Sequence, residues 1–381
     1  MDGRYRTPVL MAANPVLALM AAVLATAGCD LGVQSRPGLE ADAVAAAVAE
    51  PEPPPTVGLD SALLAAAERQ GEEMPRLRTL LVARHGELEL ERHYRGPALT
   101  TPANVKSVSK SVLSAVVGIA LAEGHLDDVH QPVAPFFRSH IPAVGDDPKA
   151  RITVGNLLSM QSGLESTSGR NYGAWVTSGN WVRYAITRPM VAEPGTRRIY
   201  STGNSHLLAA VLTQATGKSL WAYTREKLAE PLGITLPRWL ADPQGIHFGG
   251  NEMRMTPRAM LAFGELYRNG GRHEGVQVVP EPWVQASLTP QTDARRRGEG
   301  YGYGWFTGSV RGHPMFYAWG YGGQFIFIVP DLELTVVTTS DPDVAREGEH
   351  IRAVRQLLET TIVPAAERGA LPVQDGRVGV R

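Results

Sequence analysis

Cysteine is almost missing from this chain. Cys29 stands alone among 381 residues, which excludes an intramolecular disulfide and any cysteine-built zinc site. Lysine is scarce too: of 37 basic residues only Lys106, Lys110, Lys149, Lys218 and Lys227 are lysines, the arginine excess reading as codon bias in a GC-rich genome. No basic run forms a stripe and the net charge is −1, so the phosphate-neutralising footprint of a nucleic-acid binder is missing. Charged residues make up 20% and apolar ones 43%, the balance of an ordinary globular protein. Several catalytic signatures are absent as well. There is no Gly-x-Ser-x-Gly elbow, and no His-Glu-x-x-His metal helix. Thr216-Gly-Lys-Ser219 lacks the upstream glycine of a P-loop, because Leu212 occupies it. The ten histidines are scattered, and His206 and His313 read as structural. No metal and no cofactor is expected.

What is present begins at the N-terminus. Arg4 and Arg6 precede an apolar run from about Val9 to Ala27, the layout of a secretion signal over residues 1–28. It ends Leu-Ala-Thr-Ala-Gly-Cys (24–29), which resembles a bacterial lipoprotein signal whose cysteine carries the lipid; the usual leucine three places before the cysteine is Thr26 here. Cys29 is therefore the expected lipidation site, and the protein is expected to be exported and held at a membrane by that lipid. No later stretch approaches the roughly 18 apolar residues that span a bilayer. Residues 29–58 are rich in Ala, Glu and Pro, with Pro-Glu-Pro-Pro-Pro at 51–55, and read as an extended tether. The folded domain is expected over 59–366, and 367–381 as a disordered tail.

Within that domain the periodicity changes twice. After a helix at Leu59–Gln70, residues 79–94 read as a β-hairpin turning at His85-Gly86, with Leu88 and Leu90 alternating against Glu87, Glu89 and Glu91. Near the other end, Tyr301–Phe306, Gln324–Val329 and Leu334–Thr339 read as strands, followed by a helix at Glu347–Thr361. Residues 105–290 are mostly helical patterns broken by Gly, Pro and Asn turns. The expected fold is α/β of the α+β kind: one antiparallel sheet, from about 76–100 and 300–361, flanked by helices and carrying an inserted helical region.

The chemistry concentrates at the start of that insertion. Residues 106–124 form a helix apolar nearly all round, with Val108, Val112, Leu113, Val116, Val117, Ile119 and Leu121, so it belongs inside the protein; Gly124 sits where a left-handed cap ends it. Ser107 opens the helix and Lys110 follows one turn later, which places hydroxyl and amine on one side. Burial makes the ammonium easier to deprotonate, so the lysine can take or relay the serine proton. The positive helix end favours an oxyanion beside it. Ser-x-x-Lys alone is weak, since 18 serines and 5 lysines produce one by chance in about one chain in four.

Further segments add specificity. Leu-Ala-Glu-Gly-His-Leu-Asp-Asp-Val (121–129), Ile-Thr-Val-Gly-Asn-Leu-Leu-Ser-Met-Gln-Ser-Gly-Leu (152–164), Glu-Pro-Gly-Thr (193–196), Tyr-Ser-Thr-Gly-Asn (200–204) and Pro-Leu-Gly-Ile (231–234) follow in order. Together with Ser107–Lys110 they resemble the β-lactamase-related serine hydrolases: class C β-lactamases, DD-peptidases, family VIII esterases and 6-aminohexanoate-dimer hydrolases. The resemblance implies Ser107 as nucleophile, Lys110 as its proton partner and Tyr200 as general base or shuttle. A phenol suits that role where nearby positive charge, here Lys110, stabilises its anion. The family's Tyr-x-Asn appears here as Tyr200-Ser-Thr202-Gly-Asn204, nearer the dimer-hydrolase branch, with Asn204 expected to help hold a substrate amide. No Lys-Thr-Gly or His-x-Gly occurs. Its counterpart is Trp319-Gly-Tyr-Gly-Gly-Gln324, where the amide of Tyr321 or of Gly322 is expected to complete the oxyanion hole beside that of Ser107. Trp319 stands where lactamases present a cation to the lactam carboxylate, which points away from β-lactams and toward a small-molecule ester or amide. The competing expectations are a DD-peptidase or β-lactamase working on peptidoglycan-like amides, and a catalytically silent lipoprotein that binds cell-wall peptides.

Overall fold

The computed structural model describes residues 58–141, 147–294, 298–342 and 347–369. Cys29, the signal segment 1–28 and all of the tether but Gly58 lie outside the described residues. Of the expected tail, 367–369 belong to the last helix, Val363–Gly369; the remainder is outside as well.

The sheet has eight strands in the order Glu87–His93, Leu77–Arg84, Leu334–Ser340, Gln324–Val329, His313–Gly320, Phe306–Val310, Gly300–Tyr301 and Thr292–Asp293. Every pairing is antiparallel. The N-terminal hairpin lies against the last strand, with Leu81 opposite Val337, so the two ends of the domain close one sheet. The hairpin turns at His85 and Gly86, both at positive φ (51° and 87°), the conformation of a type I′ turn that matches strand twist.

Both faces of the sheet are covered, which explains why Gln324-Phe-Ile-Phe-Ile-Val329 is apolar throughout instead of alternating. Phe325, Phe327 and Val329 enter one core with Leu80, Val82, Tyr317 and Val336. Ile326 and Ile328 enter the other with Leu81, Ala83, Ala318 and Val337. The first core is closed by helix Ser61–Glu73, capped by Asp60 accepting from the Leu63 amide at 3.0 Å, and by helix Glu347–Leu357 with the turns after it. The second is closed by Pro257–Arg268 and by Ser109–Ala122. Gly264 allows the former to lie on the sheet, since a β-carbon there would stand 2.7 Å from Ile326 and Thr335 methyls.

The expected 106–124 helix is present with one refinement. Its first turn, Lys106–Val108, is a tighter 3₁₀ turn before the α-helix Ser109–Ala122. Every residue from Ser109 to Ala120 is buried, and Gly124 takes the left-handed φ of 73°. The helical region also holds two minimal ribbons, Ala103–Asn104 with Arg254–Met255 and Arg272–His273 with Val276–Gln277. The former ties the approach to Ser107 to the segment after Gly250.

Candidate active site

The Ser107 turn is fixed from both sides. The Asn104 side chain accepts from the Lys106 amide at 2.9 Å, and Ser109 Oγ donates to the Lys106 carbonyl at 2.7 Å. Lys106 itself sits at φ 52°, a left-handed conformation that a side chain adopts under constraint and that clusters at functional sites. Strand His313–Gly320 ends against this turn. A β-carbon on Gly320 would stand 2.2 Å from the Val105 carbonyl oxygen and 3.1 Å from Lys106 Cβ, so glycine lets the strand reach the Ser107 turn.

Lys110 is 3% exposed and its ammonium faces three oxygens. It donates to Ser107 Oγ at 2.9 Å, to the Gly250 carbonyl at 2.7 Å and to Thr202 Oγ1 at 3.4 Å. Among the described residues no carboxylate lies within 4.0 Å of it. Loss of solvation therefore dominates and pushes its pKa below the ordinary lysine value, opposed by charge and hydrogen-bond interactions with Tyr200. Nζ lies 5.1 Å from the centre of the Tyr200 ring. The arrangement can move a proton among Ser107, Lys110 and Tyr200.

Tyr200 is held through its backbone. Ile199 donates to Met160 O at 2.7 Å, Ser166 Oγ donates to the Tyr200 carbonyl at 2.7 Å, and Ser168 Oγ accepts from the Thr202 amide at 2.9 Å. Thr202 then opens helix Thr202–Thr216. Its hydroxyl lies 3.0 Å from Ser168 Oγ, extending the polar chain that starts at Lys110. Asn204, two places beyond the position it takes in Tyr-x-Asn, is 1% exposed; its Oδ1 accepts from Ser162 Oγ at 3.0 Å, while its Nδ2 is buried without a hydrogen-bond partner among the described residues.

The opposite wall was not singled out from sequence. Phe248-Gly-Gly-Asn251 runs past the helix Thr202–Thr216 so closely that a β-carbon on Gly249 would stand 2.2 Å from the Ser205 carbonyl oxygen, and one on Gly250 would stand 3.0 Å from Lys110 Nζ. The paired glycines were the available signal. The preceding loop is pinned by Asp242, which accepts from the amides of Gln244 and Ile246 at 2.9 Å each and bonds His206 Nε2 at 3.0 Å with neither side chain exposed. His206 is thus structural, as expected. His313 is half-buried, with Nε2 3.4 Å from Glu367.

Trp319 lies in an aromatic wall, stacked on Phe325 at 6.2 Å and tilted against Phe306 at 5.8 Å. Two residues on, Tyr321 forms the exposed tip of the hairpin, directly after Gly320. Gly322, at φ 83°, packs against Pro342, whose Cα a β-carbon on it would meet at 2.5 Å. The same aromatic wall holds Arg198, a residue the motifs do not mark: its guanidinium carbon lies 4.7 Å from the centre of Tyr301, 5.6 Å from Phe306 and 5.7 Å from Tyr200.

Comparison with known proteins supplies the context. Residues 65–359 match the Beta-lactamase family. The chain is 26% identical over 296 residues to the 6-aminohexanoate-dimer hydrolase of Paenarthrobacter ureafaciens, covering 69% of this chain and 73% of that one. Among solved structures, EstCE1, described as a hydrolase with promiscuous acyltransferase activity, superposes with a TM-score of 0.66 at 17% identity, over 78% of this chain and 98% of that one. A penicillin-binding protein homologue from Caulobacter crescentus superposes with a TM-score of 0.63 at 16% identity, over 81% of this chain and 99% of that one. These two likenesses concern the fold.

Proposed function

The chain belongs to the beta-lactamase family of hydrolases, and from that premise we propose that it cleaves a small ester or amide through an acyl-enzyme on Ser107. The observation that carries this reading is the 2.9 Å hydrogen bond from Lys110 to Ser107 Oγ, made by an amine whose charge burial disfavours. Ser107 Oγ adds to the substrate carbonyl carbon and its proton passes to the Lys110–Tyr200 pair. The oxyanion is received by the Ser107 amide and, across the cleft, by that of Tyr321. The close approach of Gly320 to Val105 and Lys106 supports Tyr321, the next residue, as that donor. The tetrahedral adduct expels the alkoxide or amine, which takes the proton. Water then repeats the sequence on the acyl-enzyme and frees Ser107.

Trp319 stands where lactamases present a cation to the lactam carboxylate, which supports esters and linear amides over β-lactams. We also propose that Cys29 carries a lipid, with 30–58 as a leash at an extracytoplasmic membrane surface. The experiment for the catalytic reading is fluorophosphonate labelling with mass spectrometry. Label on the Ser107 peptide, and no turnover of p-nitrophenyl butyrate by Ser107→Ala at unchanged melting temperature, is the expected result. Substantial esterase activity in that variant would remove the assignment.

A further inference from the structure

Arg198 has three aromatic rings about it. Its Nε is buried without a partner. Among the described residues the guanidinium donates no hydrogen bond and has no carboxylate within 4.0 Å. Among the described residues other buried arginines have at least one polar partner: Arg268 has Glu265 and Glu333, Arg355 has Glu299, and Arg84 donates to the Gly58 carbonyl. A half-buried cation without an anion costs solvation, and here the ring faces of Tyr301, Phe306 and Tyr200 supply the negative potential that offsets it.

The Tyr200 ring is therefore met by two cations, Lys110 Nζ at 5.1 Å and the Arg198 guanidinium at 5.7 Å. We propose that Arg198 is a positioning residue: stacked on Tyr301 and Phe306, it holds the Tyr200 ring beside Lys110 and favours negative charge on the phenol oxygen during proton transfer. This rests on Tyr200 acting in that transfer. Phe306 is the fixed side of the device, since it is buried and parallel to Tyr317 at 5.0 Å. Tyr301 cannot take over the proton role. Burial, then the charge of Tyr200, holds its phenol well above the ordinary range despite Arg198. Among the described residues the charged and titratable groups facing the Tyr200 ring are Lys110, Arg198 and Tyr301, and of these Arg198 is the cation outside the proton path.

The test compares Arg198→Gln, which keeps a planar head without charge, with Arg198→Lys, which keeps charge without the plane. Each is checked by thermal melting and by fluorophosphonate labelling, then assayed across pH on a neutral p-nitrophenyl ester and on one bearing a carboxylate. The expected result for Arg198→Gln is full labelling of Ser107 at long times and a kcat lower by about 5- to 30-fold, the range of a desolvated cation–π contact. KM should be unchanged. The limb of the kcat profile reporting deprotonation of the Lys110–Tyr200 pair should move to higher pH, because the anion has lost a stabilising charge. Arg198→Lys should restore the position of that limb and most of kcat. An Arg198→Gln profile that overlays the wild type overturns the proposal. So does a loss confined to KM for substrates bearing a carboxylate, which would make Arg198 a substrate receptor. Wild-type protein that takes no label at Ser107 would instead fail the acyl-enzyme reading itself.

Discussion

Gly250 and Lys110 are 140 positions apart in sequence, yet the Gly250 carbonyl accepts from the Lys110 ammonium at 2.7 Å. This contact aims the amine at Ser107 without neutralising it, as a carboxylate would. It also depends on a bare backbone, because a β-carbon at 250 would stand 2.9 Å from Ser205 Cβ and 3.0 Å from Nζ.

Gly250→Ala should therefore damage turnover more than stability. Displacing Nζ by a fraction of an ångström misaligns the Ser107 bond, and such misplacement costs about 10²-fold in kcat. Overpacking of this kind costs about 1–3 kcal/mol of stability. Esterase assays and a melting curve on one preparation check both. A variant with wild-type kcat would mean that the carbonyl contact is incidental.

Lys110→Met should abolish most activity and raise the melting temperature. Because the folded-state pKa of Lys110 is depressed below 10.5, the unfolded chain binds a proton that the fold resists. That penalty on folding is present at neutral pH, fades as pH rises from the folded value toward 10.5 and is gone above it. Melting at pH 7 and at pH 10.5 reads the sign, with the gap between variant and wild type narrowing at the higher pH.

Tyr200→Phe and Lys110→Ala should each lower kcat by about 10²–10⁴-fold. The double variant should lose little more than the worse single one, since the two groups form one proton path. Losses that multiply would assign them separate roles.

His350 should set an acid limb of stability. Burial, with the nearby Arg76 charge, lowers its pKa from 6.5 to about 4, and its ring bonds Ser340 Oγ at 2.9 Å. The unfolded chain then takes up a proton below pH 6.5 that the fold refuses until about pH 4. Stability should drop through that window by up to about 1.4 kcal/mol per pH unit. Urea unfolding of His350→Asn at several pH values should show this slope flattened; an unchanged slope would assign it to other groups.

Cys29→Ser should stop incorporation of a palmitate analogue during growth, leaving attachment, if any, to the uncleaved apolar segment. One acyl chain anchors marginally and several hold firmly. Wild-type protein without label would remove the lipid anchor from the proposal.

How much of this was legible beforehand differs element by element. The hairpin around His85-Gly86, the strands at 324–329 and 334–340 and the buried helix after Ser107 follow from patterns read within a dozen residues, and local spacing alone brings Ser107 to Lys110. Strand His313–Gly320 was not anticipated, because Pro314 near its start weakens the strand signal. The order of the motifs also carried the family, since each is a short segment whose chemistry is local.

The rest depended on distance in the chain. No periodicity says that the carbonyl of Gly250 ends at Lys110, that Asn204 turns inward to Ser162, or that Arg198 settles among Tyr200, Tyr301 and Phe306. Sequence by itself determined the helix, the hairpin and the pairing of Ser107 with Lys110, because backbone hydrogen bonding and side-chain alternation act over a few residues. Only the closed sheet and the loops packed against it decided which groups complete the site, because those contacts join segments that meet when two separate cores form on opposite faces of one sheet.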